Sequence, residues 1–420
     1  MCHPLQLVFV IALVVRLSVA LVIAVTRDGA LFPDDAGYLN LANQYRLGRT
    51  ELWDTYNTWG LWKINSGFLW PISLLFRLFG FHPILAQTLS AVVGATVAVA
   101  VSSLVRRHAS TASALAAGLI VALFPSQILW SSLALKDAYS WMAIALIAVV
   151  HGWWSKRGNS DRFYQGLFAV ACLSYFLSHL RVHTFVAVCI AGLGAVLFTS
   201  GSRRLMRAMS IFLLLLFVPL TVGGSYFGAN TIALRSDLSG IRTNMAQGAR
   251  TNITGITDIT DITDITDITD ITDTDMADIT DIAIADMAGD PIGSGQFEGL
   301  AYLPTGLRVM LLDPLPHQLH RSPNLKFAFA EHLLWYPLLL LAALGMWRYR
   351  RRLSTDLAYT LLVTGGLAIM WGFVEGNFGT AYRHRGELVW GVAVFAGLGL
   401  EAVRESLRCR RQQSTATIKS

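Results

Sequence analysis

The chain has 420 residues, 54% of them hydrophobic and only 14% charged, with a mean hydropathy of +0.51; this excludes an ordinary soluble domain. Its formal charge of +6 is read loop by loop and not as a nucleic-acid surface. Of its four cysteines, Cys172 and Cys189 lie in apolar runs and Cys2 and Cys409 near the ends, so no disulfide framework or zinc motif is present.

Apolar runs of about 20 residues, the length that crosses a bilayer core, predict an all-α polytopic membrane protein of about ten spans. The expected spans are 5–25, 81–104, 111–127, 134–154, 163–179, 182–200, 209–228, 327–347, 355–373 and 388–403. The first run is too long for a signal-peptide core and contains Arg16, so it reads as a retained anchor. Four regions follow: a membrane module over 1–228 with a first outside loop at 26–80, a large loop over 229–326, C-terminal helices over 327–403 and a basic tail over 404–420. With the N-terminus cytoplasmic, the inside loops hold Arg106-Arg107, Lys156-Arg157, Arg203-Arg204, Arg348 to Arg352 and the Arg404 to Lys419 tail. That side carries 17 Lys/Arg against four acids, and the other side 15 against 23. The clustered basic pairs set the orientation, with both termini cytoplasmic in a plasma (inner) membrane.

In chain order, the first landmark is Phe32-Pro33-Asp34-Asp35-Ala36-Gly37-Tyr38, two adjacent carboxylates just beyond an apolar helix. Like charges so close want a cation, a metal or a shared proton, and one of them suits a proton acceptor at the membrane surface. The plainer reading is a helix start, with an Asp capping free amides ahead of Tyr38, Leu41 and Tyr45. The rest of the 26–80 loop is aromatic, and Phe68 to Phe79, too short to span, reads as an interfacial helix. Next, the turn Pro125 to Asp137 ends in Lys136-Asp137, a pair expected to neutralise itself. Between the fifth and sixth spans, His179, Arg181 and His183 share the same side, Arg181 reading as a snorkelling side chain.

The large loop holds Ile-Thr-Asp triplets from Ile256 to Asp273, decaying towards Asp290. A period of three fits neither helix nor strand, and so acidic a stretch reads as a solvated tether. A calcium-binding array is the alternative, though the repeat lacks the glycines of calcium loops. Asn252-Ile253-Thr254 matches a glycosylation acceptor. Leu300 to Arg308 reads as a surface helix, and Leu312 to Pro316 as a bend returning the chain to the membrane. The last landmark, Glu375 to Glu387, is expected as a glycine-rich loop. It places Arg383, His384 and Arg385 on the same side as Asp34, against the charge bias of the other loops. Guanidinium groups grip phosphate oxygens in a bidentate way.

Arg16 in the first span, Asp34-Asp35 followed by Tyr38 and Ala42, the Ser131 to Asp137 turn and the late Gly379-Thr380-Ala381-Tyr382-Arg383-His384-Arg385 stretch together resemble the type C glycosyltransferases. These are polytopic enzymes that use polyprenyl-phosphate-linked sugars, and the likeness is to the branch with protein mannosyltransferases and the lipid A aminoarabinose transferase. It covers most of the chain outside the Ile-Thr-Asp insert. The family pair is usually Asp-Glu; here it is Asp34-Asp35.

The resemblance implies inverting transfer of a sugar from the lipid donor to a glycan, lipid or protein acceptor outside the cell. In that reading Asp34 is the general base and Asp35 orients it, or joins it in holding a divalent metal ion. Arg383, His384, Arg385 and Lys136 bind the lipid phosphate; Tyr38, Arg181 and Tyr382 contact substrate. Trp59, Trp62 and Tyr382 are candidates for stacking on sugar or isoprenoid, or for anchoring in the membrane belt. Two alternatives stand beside it. A transporter or flippase of a lipid-linked sugar needs charges near the middle of several spans, and beyond Arg16 the expected spans have almost none. A polysaccharide polymerase or ligase needs a catalytic large loop.

Overall fold

The computed structural model describes residues 4–51, 53, 58–154, 160–199, 298–316, 323–375 and 378–419. The expected span at 209–228, the Ile-Thr-Asp repeat and Asn252 lie outside them. The described residues form helices α1 (Pro4–Thr26), α2 (Pro33–Leu47), α3 (Thr58–Ile64), α4 (Ser66–Phe79), α5 (Pro83–Arg106), α6 (Thr111–Leu123), α7 (Pro125–Ser131), α8 (Asp137–Trp154), α9 (Ser160–Ser178), α10 (Val182–Thr199), α11 (Glu298–Leu311), α12 (Pro323–Tyr349), α13 (Thr355–Val374) and α14 (Phe378–Lys419). Six of them, α1, α5, α10, α12 from Ala328, α13 and α14, are long and apolar enough to cross a membrane; α6 and α7, bent by 56° at their junction, make a seventh if taken as one span. The chain is a membrane-embedded, multi-pass helical protein.

Local chemistry sets several boundaries. Pro33, Pro83 and Pro125 open α2, α5 and α7, where a missing N–H costs nothing. Gly48 ends α2 at φ 70°, a left-handed cap that favours glycine.

The α6–α7 break explains Arg16. In an unbroken helix Val121 O would accept from residue 125, but Pro125 has no N–H. Ala122 O would accept from Ser126 N, which instead donates to Glu331 Oε2 at 2.7 Å. Arg16, fully buried, supplies both donors: Nη2 to Val121 O at 3.1 Å and Nη1 to Ala122 O at 2.9 Å. Its Nε donates to Ser131 Oγ at 2.7 Å. A buried arginine is therefore matched to two carbonyls that the proline leaves without partners.

Contacts between helix ends sort the described chain into two ends of one bundle. At one end Asp34, Asp137, Arg181 and Arg383 meet, together with Glu331 and Tyr382. At the other, Arg107 and His108 pair with Asp356 at 3.7 and 3.0 Å, and Arg348 with Glu405 at 3.5 Å. The 375–387 stretch departs from its expectation as a loop. From Phe378 onward it is the start of α14, whose first turns bury Phe378, Ala381, Tyr382 and Arg385 and which is buried all round from 384 to 399. From Tyr382 onward the backbone amides are engaged in the helix and are not offered to a ligand.

Candidate functional site

The centre of the site is Arg383, in the second turn of α14. Its Nε and Nη2 grip Asp137 at the head of α8, at 3.1 and 2.8 Å from Oδ2, while Nη1 meets Asp34 Oδ2 at 2.5 Å. Asp137 also accepts from Arg181, whose other terminal nitrogen lies 2.9 Å from Glu387 Oε1. Five groups from α2, α8, the start of α10 and α14 thus form a ladder of alternating charge: Asp34, Arg383, Asp137, Arg181, Glu387. Asp137 and Glu387 are fully buried, whereas the Asp34 side chain is 58% exposed. Burying two carboxylates is tolerable only because each has a guanidinium and further donors. For Glu387 these include Trp371 Nε1 at 2.9 Å.

The expected Lys136–Asp137 pair is not formed. Asp137 turns to the two arginines, and Lys136 Nζ donates to Asn65 Oδ1 at 2.7 Å while lying 5.9 Å over the Tyr38 ring. Burial pushes the Tyr38 phenol up to about 12. Nor does Arg181 snorkel: it is buried in the ladder, 5.8 Å over the Trp371 ring.

Asp35 goes its own way. Its oxygens accept from Leu31, Phe32 and Ala36 backbone N–H groups at 2.9, 2.8 and 3.1 Å, closing the N-terminus of α2. The plainer sequence reading therefore holds for Asp35, while Asp34 reaches Arg383. A divalent ion shared by Asp34 and Asp35 does not fit, since the two carboxylates serve different partners. Among the described residues no group of three or more His, Cys, Asp or Glu gathers as a ligand set.

The basic trio is also split. Residues two apart lie on opposite sides of a helix, so Arg385 points away from Arg383. Fully buried, Arg385 donates to Met310 O at 2.8 Å and to Val309 O and Asp313 O, satisfying carbonyls at the C-terminus of α11, with His332 Nε2 at 2.7 Å. A guanidinium suits that negative helix end. His384 stacks on Trp371, ring centroids 3.6 Å apart, with Nδ1 on buried Glu375. Arg385 and His384 are thus not placed to bind a phosphate beside Arg383.

Tyr382 donates to Glu331 Oε2 at 2.9 Å, behind the site. Trp59 and Trp62 join Tyr45 and Trp53 in an aromatic cluster, with Trp62 stacked on Tyr45 at 4.0 Å. The side chains gathered around Arg383 are then Asp34, Asp137, Arg181 and Lys136, with Tyr38 and Trp130 flanking; the Arg383 Cζ lies 5.7 Å over the Trp130 ring. Two open clefts, of about 340 and 540 Å³, lie at the opposite end of the bundle. No protein-family model matches this chain, and no curated protein matches it in sequence.

Proposed function

We propose that the chain is a lipid-linked glycosyltransferase whose acidic and basic groups work at the Asp34 end of the bundle. The observation that carries this reading is Arg383 gripping Asp34 and Asp137 at once. A carboxylate exposed to an acceptor and a guanidinium able to hold a phosphate are thereby brought into contact from positions 349 residues apart. The donor is a sugar on a polyprenyl phosphate, and the acceptor carries a hydroxyl. The donor phosphate displaces Asp34 from Arg383 and takes a second cation from Lys136. Freed, Asp34 takes the hydroxyl proton as the oxygen attacks the anomeric carbon. The C1–O bond to phosphate breaks with inversion, and Arg383 carries the charge of the departing polyprenyl phosphate. Asp34 then returns its proton to water.

Ten spans and an extracytoplasmic site complete the proposal. Beyond the six helices, or seven with α6 and α7 as one, that are long and apolar enough to cross a membrane, the proposal takes α8 and α9 as further spans. α10 finishes at the Asp356 end, with Thr199 on Thr355 at 2.9 Å, whereas Tyr302 of α11 reaches Glu375 O at the other end. The tenth expected span, 209–228, lies outside the described residues.

A transporter reading draws on the same buried ladder, since ionisable groups buried in a helical bundle often line a path. The two separate on one measurement. Purified protein with a radiolabelled polyprenyl-phosphate sugar and acceptor is expected to release polyprenyl phosphate, and Asp34→Asn to abolish release with donor binding retained. Donor carried across a vesicle without cleavage, or full transfer by Asp34→Asn, refutes the transferase.

A further inference from the structure

We propose that the groove between α12 and α14 at the Arg348 end binds an anionic glycerophospholipid. This site lies at the far end of the bundle from Asp34 and stands independently of the transferase reading. α12 and α14 run parallel and touch backbone to backbone: a Cβ at Gly345 would lie 2.0 Å from Phe395 O, and one at Gly399 2.0 Å from Leu341 O. Just beyond this close crossing a cleft of about 540 Å³ opens, walled by Leu344, Val403 and Leu407 and bordered by Arg348 and Arg410. Arg348 also borders a second cleft of about 340 Å³, together with Trp347, Arg350, Arg351 and Arg352. The two spaces meet at one guanidinium, apolar on one side and cationic on the other.

That division matches a lipid with its chain along the wall and its phosphate at the arginines. Trp347 is 65% exposed and Leu407 53%. Arg350 is fixed over Trp347, its Cζ 3.6 Å from the ring and its Nη1 donating to Trp347 O at 2.6 Å. α14, 42 residues long, extends about 63 Å against a hydrocarbon core of about 30 Å, so its C-terminal half, which carries Arg404, Arg408, Arg410 and Arg411, passes out of the hydrocarbon at this end. The acid at the mouth, Glu405, pairs with Arg348 at 3.5 Å with both side chains half exposed. So loose a pair yields readily to phosphate oxygens that accept two guanidinium hydrogen bonds. A choline headgroup brings its own cation to these arginines and is disfavoured.

The test is native mass spectrometry of the delipidated full chain, titrated with phosphatidylglycerol or phosphatidylcholine. Phosphatidylglycerol is expected to bind about tenfold tighter, from roughly a few-fold per arginine at a headgroup surface. R348Q/R410Q is expected to erase that preference, and Arg162→Gln, an exposed arginine elsewhere at this end, to leave it intact. Glu405→Gln, which frees Arg348, is expected to tighten phosphatidylglycerol binding a few-fold. Equal affinity for the two lipids, or a preference that survives in a folded R348Q/R410Q, overturns the site. Should that variant not fold, Glu405→Gln decides, and no gain overturns it. Inorganic phosphate displacing the lipid at equal concentration also overturns it, because the apolar wall would then contribute nothing.

Discussion

Asp34 and Asp137 touch the same guanidinium but carry different duties. Asp34 is more than half exposed and meets Arg383 alone. Losing its charge removes a solvent-screened contact of about 0.2–1 kcal/mol and leaves Arg383 on Asp137. Asp137 is fully buried between two arginines, so Asp137→Asn takes away the carboxylate they share and leaves Arg383 only the exposed Asp34 and Arg181 only Glu387, at roughly 3–5 kcal/mol. Thermal unfolding in detergent is expected to show Asp34→Asn close to the parent chain and Asp137→Asn far less stable. An Asp137→Asn protein with the parent's midpoint would mean that the ladder does not hold these helices together. The meeting of Asp34 with Arg383 was legible in the sequence, because opposite charges stood on one expected side of the membrane. Asp137 was legible as a charge and misread as a partner: the nearest cation along the chain was Lys136, while α8 directs the carboxylate to residues 44 and 246 positions away. Glu387 and Trp371 went unnoticed. The excess of basic groups around position 383 was the available sign that buried acids had to lie nearby.

Helix phase accounts for the larger errors. Glycines at 376, 379 and 386 suggested a loop, yet the chain from Phe378 onward is helical. On a helix Arg383 and Arg385 cannot serve one ligand, nor can Asp34 and Asp35. Gly386 has a packing reason instead: a Cβ there would lie 2.6 Å from the Trp141 ring, so the missing side chain lets α14 close on α8. The α6–α7 break gives a sharper test of element-level design. Arg16→Met leaves Val121 O and Ala122 O without donors, at about 1–3 kcal/mol each. Pro125→Ala restores an N–H within reach of Val121 O, so the double variant is expected to recover part of the loss. Additive effects of the two changes on the unfolding midpoint would show that Arg16 is not there to serve the broken helix.

For the whole molecule, the two ends differ in the company their charges keep. At the Asp34 end Arg181 and Arg383 are buried against carboxylates, so these two add little net charge to the surface, although Arg27, Arg49, Arg77 and Arg308 there are exposed. At the other end Arg348, Arg350, Arg351, Arg352, Arg408 and Arg410 are exposed. Positive charge left in water beside a bilayer orients the chain more than paired, buried charge does, so the buried Arg181 and Arg383 weigh little against the proposed orientation. We propose that the exposed end sets the orientation, with the proposed active site facing away from the cytoplasm. With a membrane-impermeant maleimide on intact cells, Asn40→Cys in exposed α2 is expected to react. Native Cys409 and Arg351→Cys are expected to react only after the membrane is opened. Labelling of Asn40→Cys and Cys409 from the same side would require an even number of crossings between them. The tenfold span and the outward-facing sugar-transfer site would then both be lost.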